Sequence, residues 1–324
     1  MKSFKHFNAK SVREAVTLLK SHRGKARIIA GGTDLIGVLK DNILPSYPGA
    51  IVNIKTIPGL DRIAANAGGL KVGALTRLTE IARSQEVEKR FRVLAEAAKA
   101  VGTPHLRSMA TIGGNLCQQV RCWYYRYPHH MGGRMICRRK GKGPCFAING
   151  DNRYNAIWGA KTCFAVCPSD IAIALAALEA RIKVVGLDGT RLVSISDFFT
   201  PLGNSLNQQD EMITEVRIPN PAQGCRQAYL KFTLRAPVDF AIASVASVIH
   251  VKDGVCTEAR IALGGVAPTP LRARGAEQVI RGRPLNDATA QDAARAAVSG
   301  ARVLSGNAYK VEIIKVLVKR ALLS

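Results

Sequence analysis

The apolar positions change their period along the chain, and the changes mark its parts. Over the first sixty residues short strands alternate with helices. Ser11 stands before a helical-period stretch (Val12, Ala15, Val16, Leu18, Leu19) with Glu14 three residues on, a capping-box pattern. Ala26 to Ala30 reads as a short buried strand ending in Gly31-Gly32, after which Thr33 or Asp34 can cap a helix from Leu35 to Lys40. Ala50 to Ile54 is a second strand, so this part predicts a β-α-β unit.

The pattern restarts at Gly69, with a strand from Leu70 to Gly73, a helix from Thr76 to Glu88 and another from Arg92 to Val101. A short apolar strand, Met109 to Ile112, then runs into a second glycine pair, Gly113-Gly114. Residues 117–163 lose the periodicity. After Asp170 it returns as a helix (Ile171 to Ala180) and strands at Arg181 to Val185, Arg191 to Ser194 and Ile213 to Ile218. Pro219-Asn220-Pro221 marks a boundary. Beyond it the alternation predicts antiparallel strands (Ala228 to Arg235, Ile242 to Val251, Glu258 to Gly264). Helices follow from Ala288 to Ala301, capped by Asp287, and from Val311 to Leu323. No internal repeat is present.

Composition narrows this little. The 324 residues suffice for two or three compact units, and 47% hydrophobic with 22% charged residues sets aside disordered and collagen-like classes. The longest apolar stretch, Ile171 to Leu178, is far short of the roughly 20 residues that span a bilayer, so no membrane span is expected. Residues 1–10 hold no apolar signal-peptide core, which points to the cytoplasm, or to the periplasm only if a partner carries its own signal. The net charge of +24 implies an anionic partner. Lys and Arg are spread along the chain without a long basic run. An anionic coenzyme or an acidic partner subunit therefore accounts for the charge at least as well as nucleic acid does.

The irregular segment changes the picture most. Between Arg121 and Lys161 it holds nine Lys or Arg and one acid, Asp151, while Trp123, Tyr124, Tyr125, Phe146, Tyr154 and Trp158 argue against disorder. Six of the eight cysteines (Cys117, Cys122, Cys137, Cys145, Cys163, Cys167) fall between residues 117 and 167, and only Cys225 and Cys256 lie outside. Without a secretory signal, such a cluster reads as a metal or iron–sulfur site before it reads as disulfides. A zinc site with four cysteine ligands is the competing reading.

Glycine pairs at the ends of short strands let the backbone turn and bring its N–H groups close to an anion, and two such loops can hold one diphosphate from two sides. Neither fits the Rossmann or P-loop fingerprints. Ala30-Gly31-Gly32-Thr33-Asp34 and Thr111-Ile112-Gly113-Gly114-Asn115 resemble the two FAD-pyrophosphate loops of the medium subunits of the xanthine dehydrogenase and CO dehydrogenase family. The resemblance continues through Val72-Gly73-Ala74, Pro168-Ser169-Asp170, Ile218-Pro219, Lys231-Phe232 with Arg235 and Asp239-Phe240, and Leu263-Gly264-Gly265-Val266-Ala267.

It implies an α+β fold: a two-part FAD-binding domain of the vanillyl-alcohol-oxidase (PCMH) type over residues 1–219, with subdomains of about 1–58 and 59–219, then a smaller α+β domain of antiparallel strands and helices over 222–324. Ile29, Ala30, Gly31, Gly32, Thr33, Asp34 and Leu35 with Thr111, Gly113, Gly114 and Asn115 would line the pyrophosphate. Asp170 would meet the ribityl or ribose hydroxyls and Lys231 would lie near the isoalloxazine. The plainer alternatives make Asp170 a helix cap and Lys231 a solvated strand residue.

Within the family, an insertion of about residues 117–163 resembles the loop that carries a [4Fe–4S] cluster in the 4-hydroxybenzoyl-CoA reductase β subunit and in the periplasmic aldehyde oxidoreductase flavin subunit. The positions that match are Arg121-Cys122, Cys137 before a basic stretch, Gly143-Pro144-Cys145, and Cys163 shortly before Pro168-Ser169-Asp170. The resemblance makes Cys122, Cys137, Cys145 and Cys163 the ligands. Cys117 and Cys167 would pack nearby, and His129 and His130 would lie on the loop surface.

The expectation is thus an oxidoreductase subunit that relays electrons through FAD and a [4Fe–4S] cluster, with no catalytic acid–base pair or nucleophile of its own. Its partners would be a [2Fe–2S] small subunit, a molybdopterin large subunit and an external carrier (ferredoxin, NAD or the quinone pool), in a dimer of heterotrimers. Aromatic or acyl-CoA reductases and aldehyde oxidoreductases are favoured because they carry the loop. The alternative is a basic, zinc- or iron–sulfur-containing nucleic-acid-binding protein.

Overall fold

The computed structural model describes all 324 residues except Gly133, Arg134, Gln208 and Pro237. Among the described residues three main sheets, with a two-stranded ribbon beside them, organise the chain. The first is parallel, in the order β1 (Lys5–Asn8), β3 (Ala50–Asn53), β2 (Ala26–Ile29), with α1 (Val12–Ser21) and α2 (Leu35–Lys40) between its strands. Ser11 caps α1 by accepting from Glu14 N at 3.1 Å, and Ala15, Val16 and Leu19 form its buried stripe. Strand β1 was not expected. Its residues are mostly exposed, so they carry no burial pattern, and only the pairing to β3 makes them a strand.

The second sheet has five antiparallel strands: β4 (Ile63–Asn66), β5 (Gly69–Gly73), β10 (Met212–Ile218), β6 (Arg181–Gly186) and β7 (Gly189–Ser194). The expected helix over 76–88 is two, α3 (Leu78–Arg83) and α4 (Gln85–Arg90). They are broken at an extended Ser84 whose hydroxyl caps the second from Val87 N. After α5 (Arg92–Lys99) and α6 (Pro104–Met109), the second glycine pair lies inside a short helix, α7 (Ile112–Cys117), rather than at the end of a strand. Thr111 makes the difference. Its hydroxyl accepts from Gly114 N at 3.2 Å, a cap that turns the chain into a helix at once.

Helix α8 (Trp123–Arg126) is the one α-helix described within the irregular segment. Helix α9 (Asp170–Ala177) is buried at every position and packs against α5 and the third sheet. An all-round apolar helix has to be central. Burial of Ile171, Ile173 and Leu175 contributes about 2 kcal/mol each. Helix α10 (Ile195–Phe198) and the two-residue strands β8 (Phe199–Thr200) and β9 (Gly203–Asn204) complete this part.

The third sheet, β11 (Arg226–Phe232), β12 (Ala243–Lys252), β13 (Val255–Gly264) and β14 (Leu271–Arg272), is antiparallel. One apolar core joins it to α11 (Arg274–Ile280), α12 (Asp287–Ala297) and α13 (Tyr309–Leu323). The cap of α12 is Asn286, one residue before the expected Asp287. The α+β architecture expected from the sequence is the one observed.

Candidate functional site

Two pockets bear on α2, which lines the larger and shares an apolar cluster with cysteines of the smaller. The larger, about 200 Å³, is walled by Ile29 to Leu35, by Thr111, Gly113 and Gly114, and by Met212 and Ile213 of β10. Both glycine loops therefore meet on one cavity. They also touch each other: a Cβ on Gly31 would sit 1.9 Å from the carbonyl oxygen of Met109, and Gly32 has φ +72°. A side chain at either position would push the loops apart or strain the turn.

The loops differ in what they can offer an anion. In the second, the amides of Ile112 and Gly113 donate to Thr76 O (3.0 Å) and Ala74 O (2.9 Å), and that of Asn115 donates to Thr111 O (2.8 Å). In the first, among the described residues, the amides of Gly32, Thr33 and Asp34 have no protein acceptor. The residues present thus fit a diphosphate, with the first loop supplying the N–H groups and the second a close-packed wall.

Asp34 does not cap α2 with its side chain. Its carboxylate accepts from Gln119 N (2.7 Å), Arg121 Nη1 (2.6 Å) and Arg126 Nη2 (2.5 Å). Both arginines are partly buried, so these charge-assisted bonds hold the first glycine loop against the start of the cysteine segment.

The second pocket is lined by Cys122, Cys137, Cys145 and Cys163, with Tyr124, Tyr125, Arg138, Arg139, Phe146 and Ala165, around a void of about 10 Å³, room for one water. Cys122 stands just before α8 and Cys137 just before a 3-10 turn, Arg138–Lys140. Cys137 and Cys163 share an apolar cluster with Val38 and Leu39 of α2, which places this pocket directly behind the first loop. Among the described residues, no three His, Cys, Asp or Glu stand close enough together to hold a metal ion.

Cys117 lines the larger pocket instead and Cys167 lies in the main core, and burial pushes both thiols up to about 12. Burial also raises the Cys122 thiol. His129 and His130 are exposed and do not line the pocket.

Asp170 and Lys231 are brought to each other rather than to either pocket. Lys231 Nζ donates to Asp170 Oδ2 at 2.8 Å and to Ala100 O at 2.9 Å, and the Tyr229 hydroxyl donates to Asp170 Oδ1 at 2.6 Å. Lys231 is thus paired and largely buried, not a solvated strand residue. The cap of α9 is Ser169, whose hydroxyl accepts from Ala172 N at 3.0 Å and donates to Asn115 Oδ1 at 2.5 Å. Asn115 is held there, off the wall of the larger pocket.

The sequence reading also missed how the cysteine segment is anchored. Ile157 N and Trp158 N both donate to Val266 O, Cys167 N to Ala267 O, and Arg302 N to Ile157 O. Asn152 Oδ1 accepts from Gly306 N at 2.8 Å, and the buried Asn307 amide donates to Asn155 O and Ala156 O. The sequence signal for this was faint: two asparagines in stretches without periodicity.

A parallel three-stranded unit, a five-stranded antiparallel sheet and a glycine-walled cavity between them define a two-part dinucleotide-binding flavoprotein fold followed by a sheet-and-helix domain. The FAD binding domain in molybdopterin dehydrogenase matches residues 2–221, and the CO dehydrogenase flavoprotein C-terminal domain matches residues 228–324. The chain belongs to the family of FAD-binding medium subunits of xanthine dehydrogenases and CO dehydrogenases, and is an FAD subunit of a molybdenum-hydroxylase-type oxidoreductase.

It is 34% identical over 286 residues to the aldehyde oxidoreductase FAD-binding subunit PaoB of Escherichia coli (strain K12), which covers 86% of each chain. It is 30% identical to the carbon monoxide dehydrogenase medium chain of Hydrogenophaga pseudoflava, over 98% of this chain and 96% of that one. The structure of carbon monoxide dehydrogenase from Hydrogenophaga pseudoflava lacking the Mo-pyranopterin moiety superposes with a TM-score of 0.79 at 28% identity, over 99% of this chain and 96% of that one. Among the described residues no helix is long and apolar enough to cross a membrane.

Proposed function

We propose that this chain is the electron-relay subunit of its complex, carrying a [4Fe–4S] cluster beside its FAD. One observation carries the reading: four cysteines spread over 42 positions, from 122 to 163, line a single pocket that adjoins the glycine-walled cavity. The donor set is soft and suits iron–sulfur chemistry, and Arg138 and Arg139 would offset the charge of a thiolate-bound cluster. The void is small as it stands, and the thiols must lose protons to bind iron. Ligation therefore requires the pocket to open.

FAD and a cluster would supply, respectively, two-electron and one-electron exchange. The chain's own residues hold the two apart by α2 and tie them together through Asp34, Arg121 and Arg126. By resemblance, the division at 1–219 (parts 1–58 and 59–219, insertion 117–163) and 222–324 goes with this reading. So do a [2Fe–2S] small subunit, a molybdopterin large subunit and an outside carrier. The similarity to PaoB favours an aldehyde oxidoreductase over the other cluster-bearing types.

The test is a UV–visible spectrum and metal analysis of anaerobically purified protein. Flavin bands, a broad shoulder that bleaches on reduction and about four iron per chain support the reading. Flavin alone, or bound zinc, overturns the cluster.

A further inference from the structure

On the outer face of the five-stranded sheet, three cations stand directly opposite one another. In the register, Arg217 of β10 is paired with Lys71 of β5 on one side and with Arg181 of β6 on the other. Lys183, two residues along β6, adds a fourth positive charge to the face. The acids that face this row are few. Glu215 pairs with Arg217 at 2.5 Å, and Glu179, at the rim, is held by Arg260 (3.1 Å) and Arg272 (3.3 Å). Among the described residues, Lys71 and Arg181 have no acidic partner within ion-pair distance, and both are exposed.

Like charges directly opposite across strands destabilise a sheet. A row of three is therefore a cost that the fold alone gives no reason to carry. The row opens onto a concave surface of about 720 Å³ bordered by the Asn66–Gly69 turn and Pro219. No aromatic ring lines it, so it offers nothing for a nucleobase to stack on, and its cations are long side chains on an open face rather than amides around an enclosed anion. Neighbouring strands lie about 4.8 Å apart, so the row presents charge over about 10 Å, a span that fits carboxylates along an extended peptide.

We infer that the Lys71–Arg217–Arg181 row is the docking face for an acidic segment of a partner polypeptide. This goes beyond the relay reading and does not depend on what the cysteine pocket holds. The face draws on the same excess of charge, +24 over the chain, and within it only Glu215 answers the row, leaving Lys71 and Arg181 without an acid at ion-pair distance among the described residues. It would steer and orient a partner more than it adds affinity.

The experiment uses the full chain purified with its flavin, and a fluorescein-labelled octaglutamate peptide as probe, followed by anisotropy over a salt series. The expected result is salt-sensitive binding that the triple change Lys71→Gln, Arg181→Gln, Arg217→Gln weakens at least about tenfold. A control triple of exposed cations in β1, α1 and the turn between them, Lys5→Gln, Lys10→Gln, Arg13→Gln, should change it less than about twofold. Removing the repulsion should leave the melting temperature of the site triple equal to or above that of the parent. Flavin absorbance, unchanged in both triples, keeps this test separate from the cofactor reading. Equal losses in the two triples, tighter binding of tripolyphosphate than of the peptide at this face, or a lowered melting temperature in the site triple would each overturn the inference.

Discussion

The two pockets that α2 links are built in opposite ways. The glycine-walled cavity is made of backbone: two loops at the ends of regular elements, packed until a single Cβ no longer fits. The cysteine pocket is made of side chains on an irregular segment, and its shape is set by hooks to residues 265–267 and 302–307, far along the chain. A backbone-built pocket is fixed by local sequence and tolerates no added atom. A pocket hung from distant contacts can give, as a small void that must admit a cluster requires. The predictions set the two against each other.

The largest effect should come from Gly31→Val. With Met109 O 1.9 Å from the added Cβ, the loops must separate, and the loss should exceed the roughly 1–3 kcal/mol usual for overpacking. Flavin content should fall to background and the melting temperature with it. Gly37→Ala, six residues on in α2, meets nothing within 4 Å and should be stabilising by up to about 1 kcal/mol. Equal behaviour of the two would mean that the wall is not rigid.

Next come the thiols. Serine at Cys122, Cys137, Cys145 or Cys163 should remove most of the iron, because a hard hydroxyl substitutes poorly for a thiolate, and should leave most of the FAD. Serine at Cys117, Cys167, Cys225 or Cys256 should leave iron near normal, since those four stand in other clusters. Iron analysis beside flavin absorbance reads both pockets in one sample. Full iron in all of the first four variants sinks the cluster.

Asp34→Asn tests the joint between the pockets. It leaves two partly buried guanidiniums with neutral acceptors only, at a cost of about 1–3 kcal/mol. Flavin affinity and iron content should fall together. A drop in only one would show that the pockets are independent. Asn307→Leu loosens the distant hook instead, and should lower iron content while flavin stays bound.

Much of the larger pocket was legible in the sequence, because glycine pairs after apolar runs are local signals. Ile29 to Leu35, Thr111, Gly113 and Gly114 all line it. The four cysteines were legible as a set through resemblance, since spacings of 14, 7 and 17 residues do not themselves bring thiols together. What stayed hidden depends on tertiary pairing. Asp34 looked like a cap because it precedes a helix, yet two arginines about ninety residues on claim its carboxylate. Asp170, Tyr229 and Lys231 close on one another across 59 and 61 positions, which no periodicity reports. The helix at 112–117 reads as a strand end in sequence because a threonine cap acts through geometry rather than hydrophobic pattern.

A last, pH-dependent effect concerns Lys310, in the first turn of α13, whose Nζ donates to Gly265 O at 2.7 Å and so braces the turn from which residues 157, 158 and 167 hang. Burial pushes its ammonium down to about 7 from 10.5. Between those values the unfolded chain holds a proton that the folded chain has released, so this group makes stability rise with pH from about 7 toward 10.5. Below about 7 both states are protonated and the penalty is complete. Lys310→Met removes the penalty and one hydrogen bond worth about 1 kcal/mol. Melting temperatures of parent and variant, measured from about pH 6 to 10, should therefore converge or cross as pH rises, with the variant ahead at the acid end. A parent–variant difference independent of pH would mean that Lys310 stays protonated in the fold. The brace would then be an ammonium that the Gly265 carbonyl and its surroundings stabilise despite burial.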